Sequence, residues 1–138
     1  MKQDKIIIQA IVSADIKKVW DYYTRPEHIT KWNFASDDWQ CPHASNDMRV
    51  GGKDLARMEA KDGSFGFDFE VVYDQIVVAE RFSYTMPDGR EVEVTFNDAG
   101  GKTEVSVSFD AETENPVEMQ RAGWLAILNN FKKYTERN

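Results

Sequence analysis

Three hydrophobic periods succeed one another along this chain. Ile6 to Val12 is a β-branched run bounded by polar residues and reads as a strand. Ile16, Val19, Trp20 and Tyr23 then recur at helical spacing, with Ser13 as the expected N-cap. A second short helix follows, capped by Thr24, with Pro26 in its first turn and Ile29 and Trp32 on one face. From Asn33 to Asn46 no period survives. That stretch reads as a long loop, and its Trp39 suggests a segment folded over something apolar.

The middle of the chain alternates with a period of two. Met48 to Val50 leads into Gly51-Gly52, a bulge or sharp bend. Leu55–Lys61 and Ser64–Tyr73 are joined through Asp62-Gly63, a strong two-residue hairpin signal. Phe65, Phe67, Phe69, Val71 and Tyr73 share one side of their strand, opposite Gly66, Asp68 and Glu70. Phe82, Tyr84 and Met86 continue the apolar side, with a bulge expected between Tyr73 and Phe82, where the alternation lapses. After Pro87-Asp88-Gly89, Val92, Val94 and Phe96 alternate with polar residues; after the turn at 97–101, Val105, Val107 and Phe109 do the same. A sheet apolar on one face needs a cover.

The cover is the last segment. Asn115-Pro116-Val117-Glu118 resembles an ideal helix start, with Asn115 as cap, Pro116 at the first helical position and Glu118 reaching back. Gln120, Trp124, Ile127, Leu128, Phe131 and Tyr134 then form one stripe of a helix about 30 Å long. The fold class is therefore α+β: a twisted antiparallel sheet curling around one helix. A curved sheet and a straight helix meet along a line and diverge elsewhere, which leaves room for a gap.

Composition narrows the functions. A length of 138 residues suits one domain, and a net charge of −7 disfavours nucleic acid and anionic membrane surfaces, which call for clustered Lys and Arg. The start of the chain, from Met1 onward, reads as neither a signal peptide nor a membrane span. The lone Cys41 excludes an internal disulfide, and a cytoplasmic location is the expectation. His28, Cys41 and His43 lack the paired spacing of a zinc site, so no metal or other cofactor is expected. No basic cluster accompanies Cys41 and no serine sits in a nucleophile elbow. The Asp and Glu residues of the strands read mostly as outward-facing. With 4 Trp, 5 Tyr and 8 Phe, the chain is instead rich in groups that fill cores or line cavities.

Ala14 followed by Val19-Trp20, then Trp32, Arg49-Val50-Gly51-Gly52, Asp62-Gly63 and Gly123-Trp124 carry a resemblance. In this order they resemble the START-like (birch-pollen-allergen-like, SRPBCC) superfamily. Within it the chain looks most like the bacterial branch named for homology to the activator of the 90-kDa heat-shock chaperone ATPase. The resemblance implies a helix-grip fold over residues 1–138: a curved antiparallel sheet wrapped around a long C-terminal helix, with two short helices after the first strand. It implies Gly123-Trp124 on the cavity side of that helix and Arg49 to Gly52 entering the sheet. Asp15 stands where many relatives have Pro. The branch shares no catalytic set to transfer. Its name implies a chaperone connection, but the eukaryotic activators use a further domain and additional motifs, so chaperone activation is not expected.

Together these readings predict a cavity that binds a small hydrophobic or aromatic ligand between sheet and terminal helix. Its expected lining is Phe67, Phe69 and Tyr73, then Phe82, Tyr84 and Phe96 of the sheet, and Trp124 and Leu128 of the helix. Trp32 and Trp39 are expected at the mouth, with residues 33–46 as a lid, and Tyr73, Tyr84 and the Trp124 indole N–H as polar handles. Two other classes stay open. A cyclase- or hydrolase-type enzyme would need a buried, perturbed acid or His in the cavity. A chaperone-linked or homodimeric interaction module would need an exposed apolar patch.

Overall fold

The computed structural model of the protein describes residues 5–138; Met1 to Asp4, part of the N-terminal reading above, lie outside the described residues. The chain runs β1 (Lys5–Val12), α1 (Ile16–Thr24), α2 (Pro26–Trp32), β2 (Trp39–Gln40), β3 (Ala44–Asn46), β4 (Lys53–Ala60), β5 (Gly66–Val77), β6 (Arg81–Thr85), β7 (Glu91–Asp98), β8 (Thr103–Asp110) and α3 (Val117–Arg137). Among the described residues these strands make one antiparallel sheet ordered β1-β8-β7-β6-β5-β4-β2, with β3 also paired to β4. This is the α+β arrangement the alternation demanded.

The inward rows match the pattern closely. Ile6, Ile8, Ala10 and Val12 of β1 face the core, as do Val92, Val94 and Phe96 of β7 and Thr103, Val105, Val107 and Phe109 of β8. On β5 and β6, Val71, Tyr73, Phe82 and Tyr84 are buried, and Met86 beyond β6 is buried with them. A register shift between Tyr73 and Gln75 lets the inward row continue through Ile76 after the alternation breaks.

Several local expectations are corrected. The N-cap of α1 is Asp15, whose carboxylate accepts the Lys18 N–H at 2.8 Å; Ser13 instead donates its N–H to Glu136. Thr24 does not cap α2: it ends α1, and its hydroxyl donates to the Trp20 carbonyl. At α3 the cap position is Pro116, without a side-chain bond, so neither Asn115 nor Glu118 closes a capping box. The preceding loop is held by Gln120, which accepts the Glu112 N–H and donates to the carbonyls of Glu112 and Asn115. A stripe position read as apolar is thus a buried polar staple. The β4–β5 turn is longer than two residues: Ala60 N–H bonds to the Phe65 carbonyl across residues 61–64.

The largest correction concerns residues 33–46. They are not an unpaired loop. Trp39↔Ala60 and Ala44↔Ala56 pairings stitch them to β4, and Lys61 N–H adds a bond to the Asp38 carbonyl. Two- and three-residue strands are too short to show a period.

At Gly51-Gly52 the reading of a sharp bend holds. Gly51 has φ +82°, a left-handed conformation that L side chains rarely adopt, and a Cβ on Gly52 would lie 2.2 Å from the Asp47 carbonyl oxygen. Their backbone groups pair both ways with Tyr73, which fixes this bend beside the inner row of β5.

Candidate functional site

Helix α3 packs along β1 at one side of the sheet. Trp124 stacks on Phe109 with ring centroids 4.0 Å apart and 11° between planes. Phe131 meets Trp32 and Tyr23 edge to face where α1, α2 and α3 converge, and those two rings are tilted against each other. Asn130 of α3 donates to the Trp32 carbonyl at 2.8 Å, which holds the end of α2 to the helix. Toward β4, β5 and β6 the sheet curls away, and a cavity of about 310 Å³ remains between sheet and helices. Its apolar wall includes Ile29, Ala56, Met58, Met86, Val107 and Ile127.

Eight of the ten residues singled out from sequence line this space: Trp32, Phe67, Phe69, Tyr73, Phe82, Tyr84, Trp124 and Leu128. They do so to different degrees. Tyr73, Phe82, Tyr84 and Leu128 are nearly closed off, whereas Phe67, at 43% exposure, marks the rim. Trp124 is half-buried, because one ring face rests on Phe109 while part of the indole looks into the cavity.

Trp39 and Phe96 do not line the cavity. Phe96 is packed beneath α1, between Trp20, Tyr23 and Phe82. Trp39 sits outside the rim with Phe65 and Phe67, ring centroids 6.0 and 6.3 Å away. Of the segment read as a lid, Asn33 lines the cavity, and residues 39–40 and 44–46 are bound to the edge of the sheet.

The polar equipment of the cavity centres on a residue that the sequence reading missed. Asp54 is on the inward row of β4, opposite Val71 on one side and Asn46 on the other. Protein surrounds the carboxyl except where it faces the cavity, and this burial pushes it up to about 6. The Tyr73 hydroxyl lies against it and offsets part of that rise. Tyr73 also donates to Asn46 Oδ1 at 2.7 Å, and Asn46 in turn donates to the Thr24 carbonyl at 2.6 Å. A polar chain therefore runs from the cavity wall to the end of α1. The phenols of Tyr23, Tyr73 and Tyr84 are all raised, first by burial and then by Asp54 or by one another, so they stay neutral hydrogen-bonding groups.

The signal for Asp54 was present. Met58 and Ala56 lie on the inward row of β4, and one more step of the same alternation reaches Asp54, while Leu55 takes the outward side. The strand read from sequence began at Leu55 and so stopped one residue short of it.

Cys41 is buried and its thiol is pushed up to about 11, chiefly by that burial, so it carries little thiolate at neutral pH. His28 Nδ1 is 2.8 Å from the Tyr134 hydroxyl, and its ring stacks on Tyr22. Among the described residues no group of three or more His, Cys, Asp or Glu is placed to hold a metal, and no helix is long and apolar enough to cross a membrane.

A curved sheet gripping a long C-terminal helix, with two short helices after the first strand, defines a helix-grip protein of the START-like (SRPBCC) class. The model of the family described as Activator of Hsp90 ATPase homolog 1-like protein matches residues 13–136, and the chain belongs to that family. The solution structure of an AHSA1-like protein from Aeromonas hydrophila is similar at 43% identity, covering 97% of this chain and 93% of that one, with a TM-score of 0.92. A protein from Cytophaga hutchinsonii is similar at 48% identity over the same shares, with a TM-score of 0.84. One from Chromobacterium violaceum, 21% identical over 97% of this chain and 98% of that one, shares the fold with a TM-score of 0.85. No curated protein matches the chain.

Proposed function

We propose that the protein binds a small hydrophobic or aromatic ligand in the cavity between the sheet and α3. The observation that carries this reading is the unfilled space of about 310 Å³, walled by aromatic and aliphatic side chains with a few polar groups among them. Ligand sites have this character, and their volumes begin at about 300 Å³. The fold family supports a ligand-binding role. Burial of apolar ligand surface, at roughly 25 cal/mol per Å², supplies the affinity from which ordering costs are subtracted. Tyr73, Tyr84 and the Trp124 indole orient the ligand, and Phe67 stands at its entrance.

The test is titration with N-phenyl-1-naphthylamine, an uncharged fluorophore that brightens in apolar surroundings. Binding to the native protein and its loss in Ala56→Phe, whose new ring projects from β4 into the space, is the expected result. Equal binding by both proteins would place the probe elsewhere and overturn the reading.

A second reading, a cyclase- or hydrolase-type enzyme in the same cavity, is favoured by Asp54 alone, a buried carboxyl near the pH range useful for proton transfer. It requires turnover of a cavity ligand that Asp54→Asn abolishes while binding persists.

A further inference from the structure

We propose that Asp54 is the head-group recognition site of the cavity, selecting ligands that carry an organic cation, of the arylalkylamine class, on an aromatic or apolar body. This inference rests on the ligand-binding reading above and specifies its chemistry.

The carboxyl is largely enclosed on β4 and opens into the cavity, yet among the described residues no cationic side chain is paired with it. The other charged side chain lining the space is Arg90, which reaches back to its own hairpin and pairs with Asp88 at 2.7 Å. The titratable groups near enough to feel the Asp54 charge are Tyr23 from α1, Cys41 from the β2–β3 connection, Tyr73 from β5 and Tyr84 from β6, and Asn46 of β3 lies opposite it. All of these are neutral at physiological pH. A buried carboxylate without a countercharge is costly. That cost persists on the wall of an otherwise apolar cavity, where an alanine or a leucine would pack at none. A ligand ammonium would remove it by supplying the missing charge. An anionic ligand would meet uncompensated repulsion at the same place. A neutral ligand would leave the acid as it is.

The sequence of events at the site is a proton balance. In the free protein the carboxyl is partly protonated in mildly acidic solution; binding an ammonium favours the carboxylate, so complex formation releases a proton there. Affinity for a cation accordingly rises with pH up to neutrality, and affinity for its uncharged isostere does not.

Isothermal titration of the full chain with 1-naphthylmethylamine and with 1-naphthalenemethanol, at pH 5 and pH 7.5, tests this. The Trp124 indole N–H resonance locates the ligand. The expected result at pH 7.5 is an amine affinity at least tenfold above that of the alcohol. That preference should collapse in Asp54→Asn while the alcohol still binds, and should be retained in Asp54→Glu. Equal affinities for amine and alcohol, or an amine preference that survives Asp54→Asn, overturn the inference and leave the ligand-binding reading standing. Failure of the amine, the alcohol and the uncharged fluorophore alike overturns both.

Discussion

Strands β8 and β5 carry nearly the same alternation of apolar and polar residues, yet β8 is closed along its inward row, where Val107 alone reaches the cavity, and β5 walls much of that void. On β8 the inward row Thr103, Val105, Val107 and Phe109 is at most 3% exposed. On β5 the inward row fades from buried Tyr73 and Val71 through half-buried Phe69 to open Phe67. The difference is in the partners. Beside β8 lies β1, against which α3 packs, with Trp124 stacked on Phe109; β5 curls away from the same helix. An amphipathic strand declares which side turns inward. It does not declare whether anything is there to meet it.

The comparison can be broken by truncation. Phe109→Ala should cost about 3–5 kcal/mol, as expected where a fully buried ring leaves a hole, and Phe69→Ala about 1 kcal/mol, because that ring already borders empty space. Urea denaturation of the two variants measures both. Comparable losses would mean that the β5 side is as tightly filled as the β8 side.

The next effect is one of pH. The Asp54 carboxyl titrates at about 6 in the folded protein, above its ordinary value, so the native state holds a proton that the unfolded chain releases. Stability conferred by this group is therefore greatest at low pH and falls as pH rises from about 4 to 6, by up to about 3 kcal/mol. Asp54→Asn should abolish that fall and make the protein more stable than the native chain at pH 7, a gain typical of changes at functional positions. The difference between the two stability-versus-pH curves isolates this group from carboxylates such as Asp110, whose pairing with Lys5 favours its charged form and acts in the opposite direction. Superimposable curves would refute the burial of Asp54.

A smaller effect sharpens the description of the helix. Gly123 is inside α3, and a Cβ there would meet nothing within 4 Å. Gly123→Ala should raise stability by about 0.5–1 kcal/mol through helix propensity alone. A loss on thermal denaturation would mean that the position needs its bare backbone.

How much could be read in advance divides along similar physical lines. Long periodic segments were plain: the inward rows of β5, β7 and β8 and the stripe from Trp124 to Tyr134 follow from spacing, whereas the apolar run of β1 declares a strand but not which of its isoleucines turn inward. Helix starts were less so, since Ser13 and Asp15 both suit a cap and only the backbone decides between them. The edge strands at Trp39 and Ala44 take their order from β4 across the ladder, which no local pattern reports. Phe96 and Phe82 look alike in sequence, and only the placement of α1 over Phe96 removes it from the cavity wall. Asp54 would follow from the parity of β4, but the strand as read from sequence began at Leu55, one residue too late to include it.

The pairing of β1 with β8 has a consequence for how the molecule is made. Lys5 is matched with Asp110 and Val12 with Thr103, so the first strand waits for a partner translated long after it. At about 5–20 residues per second, that interval is on the order of 5–20 s. Throughout it, a segment reading Ile-Ile-Ile-Gln-Ala-Ile-Val has neither neighbour nor helix over it. Such a stretch, uncharged and free of proline, is well suited to pair with its copies on adjacent nascent chains. The greatest hazard of aggregation in the life of this protein therefore falls on the ribosome, before α3 exists to close the sheet.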